Sequence, residues 1–167
     1  PIHHIESRVK SPESILEKMN RRGYELSFSS LKKHIYDIAG IRVVCNYIND
    51  IYQIINLLTK QKDLNVLLKK DYIVNPKESG YRSLHIVFSI EMYLDEEVKF
   101  VPVEIQFRTL AMDMWASLEH ELRYKSRNNL SMQDTVNLRQ YSEQLYNIDL
   151  NMQRIYISAI VGDDDND

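Results

Sequence analysis

Acidic residues at two separate points of the sequence are the first candidates for chemistry. Glu104 lies in the segment 101–109, where apolar and polar residues alternate as in a strand with one polar face. Asp37 comes directly before a β-branched run, at the entrance to a second strand. Taken singly, Asp37 could be a turn residue, and the polar face could simply meet solvent. If the two carboxylates meet across one sheet, they form the oxygen-rich site that Mg²⁺ prefers when it also holds phosphates.

Basic residues form two clusters that could bind phosphate. The first surrounds the start of a capped helix, where free backbone N–H groups already favour anions, and consists of Arg8, Lys10 and Lys18. The second flanks the loop before Gly80 and consists of Lys69, Lys70, Lys77, Arg82 and His85. Either cluster alone could be solvated surface. Two clusters together with two acids suggest two polyphosphate groups around one metal ion.

Tyr81 is the candidate for contact with a nucleotide base. It follows Gly80, and a glycine at a junction of loop and strand can let the ring point outward for stacking. Ser83 and His85 would lie on the same face of its strand. A tyrosine in a strand is more often part of the core, so the residues alone leave both interpretations open.

An α+β domain with a mixed sheet of about five strands is predicted to position these residues. The predicted strands are 41–47, 66–73, 81–90 and 100–109, of which the last two should pair antiparallel. Helices are predicted from Pro12 to about residue 23, from Ser27 or Ser29 to Tyr36, after Asn49 and Asp50, and over 110–124. One domain is expected over 1–162, followed by an acidic, disordered tail at 163–167. Because the sequence begins with Pro1 rather than Met, we expect an N-terminal segment to precede it.

A final helix over about 132–161 carries apolar residues at steps of three and four. This seam consists of Leu138, Tyr141, Leu145, Ile148, Met152, Ile155 and Ala159. Such a seam needs a partner. Packing within the domain is the first interpretation, and contact with a second subunit is the alternative.

The composition excludes several classes of protein. The 167 residues are 44% hydrophobic and 27% charged, as expected for one globular domain. No apolar run approaches the roughly 18 residues that cross a bilayer, and no secretory pattern opens the sequence. The single cysteine, Cys45, cannot form an internal disulfide and should be buried in a protein of the reducing cytoplasm. Four of the 24 acids are aspartates in the tail, so the remainder is nearly neutral and no broad basic face for DNA or RNA is expected.

Six short motifs follow one another along the chain. They are RVKSPES at 8–14, DIAGIRV at 37–43, KDYI at 70–73, GYRSLH at 80–85, EIQFRT at 104–109 and WASLEH at 115–120. In this order, over roughly residues 1–125, they closely resemble the synthetase domain of the Rel/Spo stringent-response enzymes. Without a hydrolase or regulatory domain, the chain resembles a stand-alone bacterial small alarmone synthetase. The segments 75–77 and 112–115 are nearer to the RelP than to the RelQ type.

The resemblance implies a mixed five-stranded sheet and transfer of pyrophosphate from ATP to the ribose 3′-hydroxyl of GTP or GDP, which yields (p)ppGpp and AMP. It assigns ATP binding to Arg8, Lys10, Ser14, Lys18 and Arg42, and acceptor binding to Lys70, Lys77, Tyr81, His85 and Gln106. Asp37 and Glu104 match the carboxylates of the magnesium site, and Glu104 also matches the base for the 3′-hydroxyl. A homo-oligomer is implied as well, in this family a tetramer.

Two positions depart from the family pattern. Leu68 stands where synthetases with an Arg-x-Lys-Asp signature carry arginine, with Lys69 as a possible substitute, and Ser79 stands where many relatives carry asparagine. The alternative function is a catalytically silent module of the same fold that binds guanine nucleotides. An RNA-binding or RNA-modifying relative is the third. Retention of both Asp37 and Glu104 argues against the silent module, because binding alone would tolerate loss of the metal site.

Overall fold

The computed structural model describes residues 1–94, 97–127 and 129–164, and this part of the chain folds around one mixed sheet. Its strands are β1 (Ile2–Val9), β2 (Ala39–Cys45), β3 (Leu64–Asp71), β4 (Leu84–Leu94) and β5 (Glu97–Thr109). They lie in the order β1-β2-β5-β4-β3, with β2 and β5 parallel and the other neighbours antiparallel. The helices are α1 (Pro12–Arg21), α2 (Phe28–His34), α3 (Ile48–Leu58), α4 (Leu110–Lys125) and α5 (Met132–Asp164). The predicted α+β class, the mixed sheet of five strands and the antiparallel pairing of β4 with β5 are confirmed.

The strand β1 is the element that the sequence pattern did not predict. Its apolar residues Ile2, Ile5 and Val9 recur at steps of three and four, whereas a half-buried strand shows a period of two. All three side chains are exposed, so burial does not select this conformation. Backbone pairing does, because β1 forms one edge of the sheet and pairs with β2 along most of its length.

The apolar core lies on one face of the sheet. Its buried residues on the strands are Val43, Cys45, Leu84, Ile86, Phe88 and Phe107, and α3 adds Ile48, Ile51 and Ile55. Met112 at the start of α4 and the partly buried Tyr146 and Leu150 of α5 complete it. Because side chains alternate along a strand, the residues between these positions point to the opposite face, where the predicted site residues lie.

The predicted seam of the long helix α5 is only partly buried in the domain. Leu138 and Leu145 are partly buried against the domain, and the indole N–H of Trp115 donates to the Leu138 carbonyl at 2.8 Å. Further along the helix, Ile148, Met152 and Ile155 are exposed, the last by 64%. Packing within the domain therefore accounts for only part of the seam.

The helix bounds reach Asp164, and residues 165–167 of the predicted tail lie outside the described residues. No helix in the described part of the chain combines the length and the apolar character that a membrane crossing needs.

Asp149 of α5 is a partly buried carboxyl group whose ionisation should affect the stability of the fold. Burial raises the pKa of Asp149 to about 6, although the Thr109 hydroxyl donates a hydrogen bond to its carboxylate. A carboxyl group whose pKa is raised by folding destabilises the folded state once it ionises, so this penalty grows from about pH 4 to pH 6 and is complete above that range. Asp149→Asn is therefore expected to raise the free energy of unfolding by about 1 to 2 kcal/mol at pH 7.5, discounted for partial exposure. Urea denaturation measures it.

The same comparison at pH 4 serves as the internal control, because both side chains are then largely uncharged and the gain should nearly vanish. The exposed Asp63 supplies a matched variant, Asp63→Asn, which should change stability little at either pH. A gain of equal size at both pH values would contradict an ionisation penalty at Asp149.

Candidate functional site

The register of the sheet collects the predicted site residues on the face opposite the core. One row across the strands consists of Arg8, Gly40, Glu104, Val87 and Leu68, and the next of Glu6, Arg42, Gln106, His85 and Lys70. Arg8 and Arg42, which the family resemblance assigns to ATP, lie on β1 and β2. The acceptor candidates His85 and Lys70 lie on β4 and β3. Because β5 separates these pairs of strands, its residue Glu104 stands between the two sets.

Asp37 lies at the entrance to β2 and is bound by two lysines. Its Oδ2 is 2.6 Å from Lys10 Nζ and 2.7 Å from Lys18 Nζ. Burial raises the pKa of Asp37, but the hydrogen bonds and charges of the two lysines outweigh burial, so the pKa lies below its usual value. The other carboxylate oxygen, Oδ1, is buried and has no hydrogen-bond partner. Asp37 is thus an ionised carboxylate with one buried oxygen that no described protein group satisfies.

Lys10 and Lys18 are brought to Asp37 by the turn from β1 into α1. The amide of Lys10 donates to the Ile38 carbonyl at 2.8 Å, which holds this turn against the entrance of β2. Ser11 caps α1, and Pro12 occupies its first position. Ser14 lies on the exposed first turn, where its amide donates to the Ser11 hydroxyl oxygen.

Glu104 is the central carboxylate of the sheet. Its Oε1 accepts a hydrogen bond from His85 Nδ1 at 3.1 Å, and its Oε2 accepts one from Gln106 Nε2 at 3.2 Å. Burial raises the pKa of Glu104, and so does the nearby charge of Asp37, but the interactions with His85 and the hydrogen bond from Gln106 bring the pKa below its usual value. Glu104 is therefore ionised at neutral pH and can accept a proton or bind a cation.

Two open clefts meet at these carboxylates. The first, of about 620 Å³, is lined by Glu6, Ser7, Arg8, Gly40, Ile41, Arg42 and Gln106, together with Asp37 and Glu104. The second, of about 730 Å³, is lined by Lys18, Arg22, Tyr24, His34, Tyr36, Leu68, Lys70 and Val87, again with Asp37 and Glu104. Two ligands bound in the two clefts would thus meet at the acidic pair.

The predicted base-stacking residue Tyr81 lies at the end of the loop, beside the second row. It is partly exposed, and its hydroxyl is 2.8 Å from His85 Nε2. Lys77 Nζ is 4.8 Å from the centre of the Tyr81 ring and 4.9 Å from that of Tyr72. Ser83 does not share this face, because β4 begins only at Leu84, and its buried hydroxyl instead donates to the Phe107 carbonyl.

The two departures from the family pattern lie near the acceptor side. Leu68 lines the second cleft in the same row as Glu104. Lys69 pairs with Ile86, whose side chain belongs to the core face, so the register does not favour Lys69 as a substitute for the missing arginine. The Ser79 hydroxyl oxygen accepts a weak hydrogen bond from the Tyr81 amide at 3.4 Å.

A comparison with protein families identifies the family of this chain. The family described as "Region found in RelA / SpoT proteins" matches residues 7–129. The chain belongs to this family. The match includes all six motifs, so the resemblance that they indicated is confirmed.

Relatives within the RelA/SpoT family are similar over most of this chain. GTP pyrophosphokinase YwaC of Bacillus subtilis is 46% identical over 152 residues, which cover 91% of this chain and 72% of that protein. The crystal structure of small alarmone synthetase 2 from Bacillus subtilis has a TM-score of 0.86 at 44% identity, covering 95% of this chain and 82% of that one. Small alarmone synthetase 1 from Bacillus subtilis, bound to its product pppGpp, has a TM-score of 0.86 at 38% identity and covers 95% and 80%.

The RelA/SpoT motif at 104–109 also contains a residue to which the sequence analysis gave no role. Arg108 is buried beside Glu104 and Gln106 on the polar side of β5 and is ion-paired with Asp113 of α4 at 2.9 Å. The alternation of Arg108 with the two other polar residues could have indicated it. No sequence pattern indicated that the second cleft would be lined by Arg22, Tyr24 and His34. These residues come from three different places, the end of α1, the following turn and α2.

Proposed function

We propose that this chain transfers the pyrophosphoryl group of ATP to the ribose 3′-hydroxyl of GTP or GDP, forming (p)ppGpp and AMP. The observation that carries the proposal is the sheet register, which sets the candidate ATP residues Arg8 and Arg42 on one side of Glu104 and the acceptor candidates His85 and Lys70 on the other. The names of the relatives support the same reaction, since one is a GTP pyrophosphokinase and another holds pppGpp as its product.

Glu104 is the proposed base for the acceptor. In the reaction the 3′-oxygen forms a bond to the β-phosphorus of ATP, the bond from that phosphorus to the α,β-bridging oxygen breaks, and the hydroxyl proton passes to the carboxylate. AMP leaves with the bridging oxygen. Such a transfer depends on positioning and on neutralised phosphate charge more than on covalent chemistry. Lys10 and Lys18 supply positive charge at the point where the two clefts meet.

Asp37 and Glu104 fit a magnesium ion that is held jointly with substrate phosphates. The buried, unpartnered Oδ1 of Asp37 is the observation that favours this, because a bound cation would satisfy it. No group of three or more His, Cys, Asp or Glu side chains in the described ranges could hold a metal alone, and Mg²⁺ typically takes one or two carboxylates together with phosphates. When bound, the ion would neutralise phosphate charge and lower the pKa of the acceptor hydroxyl.

Product analysis tests the reaction against the silent alternative. The purified chain is incubated with labelled ATP, with GTP or GDP and with magnesium, and the nucleotides are separated by chromatography. The proposal expects AMP and a guanosine nucleotide with a 3′-pyrophosphate to accumulate in equal amounts. Binding of GTP without formation of AMP would support the silent module instead. Omission of magnesium in a parallel reaction tests the metal requirement.

A homo-oligomer, a tetramer as the family resemblance implies, is the proposed assembly. Tyr141, Ile148, Met152 and Ile155 of α5 are more than half exposed, and a row of apolar residues on one helix is typical of an interface. Leu145 is a weaker test position because it is partly buried within the domain.

Ile148→Asp combined with Ile155→Asp should therefore convert the oligomer into a smaller species with a native circular dichroism spectrum, since unpaired charges buried in an interface are costly. Light scattering at micromolar concentration measures the mass. The exposed Asn147 on the same helix offers a control, Asn147→Asp, that should keep the wild-type mass. A monomeric wild-type chain would contradict the assembly.

A further inference from the structure

Five polar side chains at the site form a closed ring of hydrogen bonds. They are Tyr81, His85, Glu104, Gln106 and Arg108. Arg108 Nη2 is 2.8 Å from the Tyr81 hydroxyl oxygen and 3.3 Å from Gln106 Oε1. From there one arm continues through His85 and the other through the Gln106 amide, and both end on Glu104.

The chemistry of the two ends gives both arms one direction. Arginine offers only donors, and an ionised carboxylate only accepts. Since the Tyr81 oxygen accepts from Arg108, its own hydrogen is free to donate to His85 Nε2 at 2.8 Å. His85 then carries its hydrogen on Nδ1 and donates it to Glu104. In the second arm the Gln106 carbonyl accepts from Arg108, and its NH₂ group donates to Glu104.

Arg108 is itself held from α4. Its side chain is buried, and its Nη1 donates to Asp113 Oδ1 at 2.9 Å. Asp113 lies in the first turn of α4 and is also 3.5 Å from Arg42 on the ATP side. Arg108 is one row beyond Gln106 along β5, and within the described residues its side-chain hydrogen bonds go to Asp113, Tyr81 and Gln106 and not to Glu104. Arg108 therefore acts on Glu104 through other side chains.

We propose that Arg108, anchored by Asp113, is a positioning residue that orients the Glu104 carboxylate through the Tyr81–His85 arm and the Gln106 arm. The inference deepens the proposed function and rests on it, because it assumes that Glu104 is the base. Tyr81 then has two separable roles, a ring face for the guanine base and a hydroxyl that passes the orientation of Arg108 to His85.

The proposal predicts a loss in kcat rather than in KM. The two donors to Glu104, His85 Nδ1 and the Gln106 NH₂ group, belong to the arms, so weakening the arms at Arg108 should misorient the carboxylate. The candidate phosphate-binding groups stay in place: Lys10 and Lys18 on Asp37, Lys70 on β3, and Arg8 and Arg42 on β1 and β2.

Arg108→Met tests the proposal through kcat and KM. We expect kcat to fall by about 10- to 100-fold, as for loss of other orienting partners, with much smaller changes in KM for either nucleotide. Arg108→Lys should recover only part of the rate, because a compact ammonium cannot serve Tyr81, Gln106 and Asp113 in the same planar arrangement.

Tyr81→Phe is the second variant and does not depend on the fold tolerating loss of Arg108. It keeps the ring and interrupts one arm, so kcat should fall while KM for GTP stays near the wild-type value. The exposed Lys60 gives a control, Lys60→Met, for loss of a basic group elsewhere.

Glu104→Gln in the same assay separates the two levels of the argument. A wild-type rate in Glu104→Gln would overturn the proposed base, and with it this inference. If Glu104→Gln is inactive but both Tyr81→Phe and any folded Arg108 variant keep the wild-type kcat, the base stands and the positioning role is wrong. A rise in both KM values as large as the fall in kcat would likewise reduce Arg108 to a structural residue.

Discussion

Glu104→Gln is expected to lower the rate of pyrophosphoryl transfer by about 10² to 10⁴-fold, because it removes the charge and the basicity but keeps the size of the side chain. The candidate ATP residues lie on β1, β2 and α1, so the affinity for ATP should change little. Single-turnover rates measure the first quantity, and binding of a non-hydrolysable ATP analogue measures the second.

The hydrogen bonds to Glu104 sharpen this prediction. Each oxygen of Glu104 accepts a hydrogen bond, so the NH₂ group of a glutamine there would face a donor from either His85 or Gln106. Glu104→Asp is the matched control: it keeps the charge and the two acceptor oxygens but shortens the reach, and its rate should lie between those of the other two. A rate of Glu104→Gln close to wild type would exclude Glu104 as the base, and equal losses in both variants would mean that reach rather than basicity limits the reaction.

The strands that carry the site could be predicted because each has a local pattern. The alternation in 101–109 and the apolar run beginning at Ile41 predicted β5 and β2, and the predicted strands 81–90 and 100–109 were expected to pair antiparallel, as β4 and β5 do. No local pattern indicated that β2 and β5 are neighbours in the sheet, because roughly sixty residues separate them along the chain. The pairing of Gly40 with Glu104, which brings Asp37 to Glu104, therefore required either the family resemblance or the structure.

Long-range polar contacts explain what the sequence could not predict. The ion pair of Arg108 with Asp113 joins residues of neighbouring elements, but its role depends on Tyr81 and His85, which come from a different part of the chain. The hydrogen bonds of such a network depend on which side chains lie close together in the fold, and residue spacing does not indicate this. The seam of α5 shows the same limit: the long helix was correctly predicted, but which of its apolar residues meet the domain depends on where the helix leaves the sheet.

The second large effect concerns the loop that ends at Gly80, called the acceptor loop here, which packs against α5. Gly80 has a φ of +93°, and a Cβ added there would lie 3.0 Å from Ser142 Cβ and 3.1 Å from Arg139 Cα, both on α5. The Ser142 hydroxyl also donates to the Gly80 carbonyl. On the other side of Tyr81, the guanidinium of Arg82 is ion-paired with Glu143 of the same helix at 2.7 Å. α5 thus fixes the chain on both sides of the proposed guanine-stacking residue.

Gly80→Ala should therefore lower the free energy of unfolding by about 2 to 4 kcal/mol, the sum of backbone strain and overpacking against α5. In the molecules that remain folded, displacement of Tyr81 should raise KM for GTP more than KM for ATP, because the candidate ATP residues lie on the far side of β5. Urea denaturation and steady-state kinetics below the unfolding range measure the two effects.

Gly23→Ala is the matched control, since Gly23 also has a positive φ, +69°, but no atom lies within 4 Å of an added Cβ. Its loss should be only about 1 to 2 kcal/mol, from strain alone. Equal losses in the two variants would show that the left-handed backbone accounts for Gly80 and that the close approach of α5 does not hold the acceptor loop.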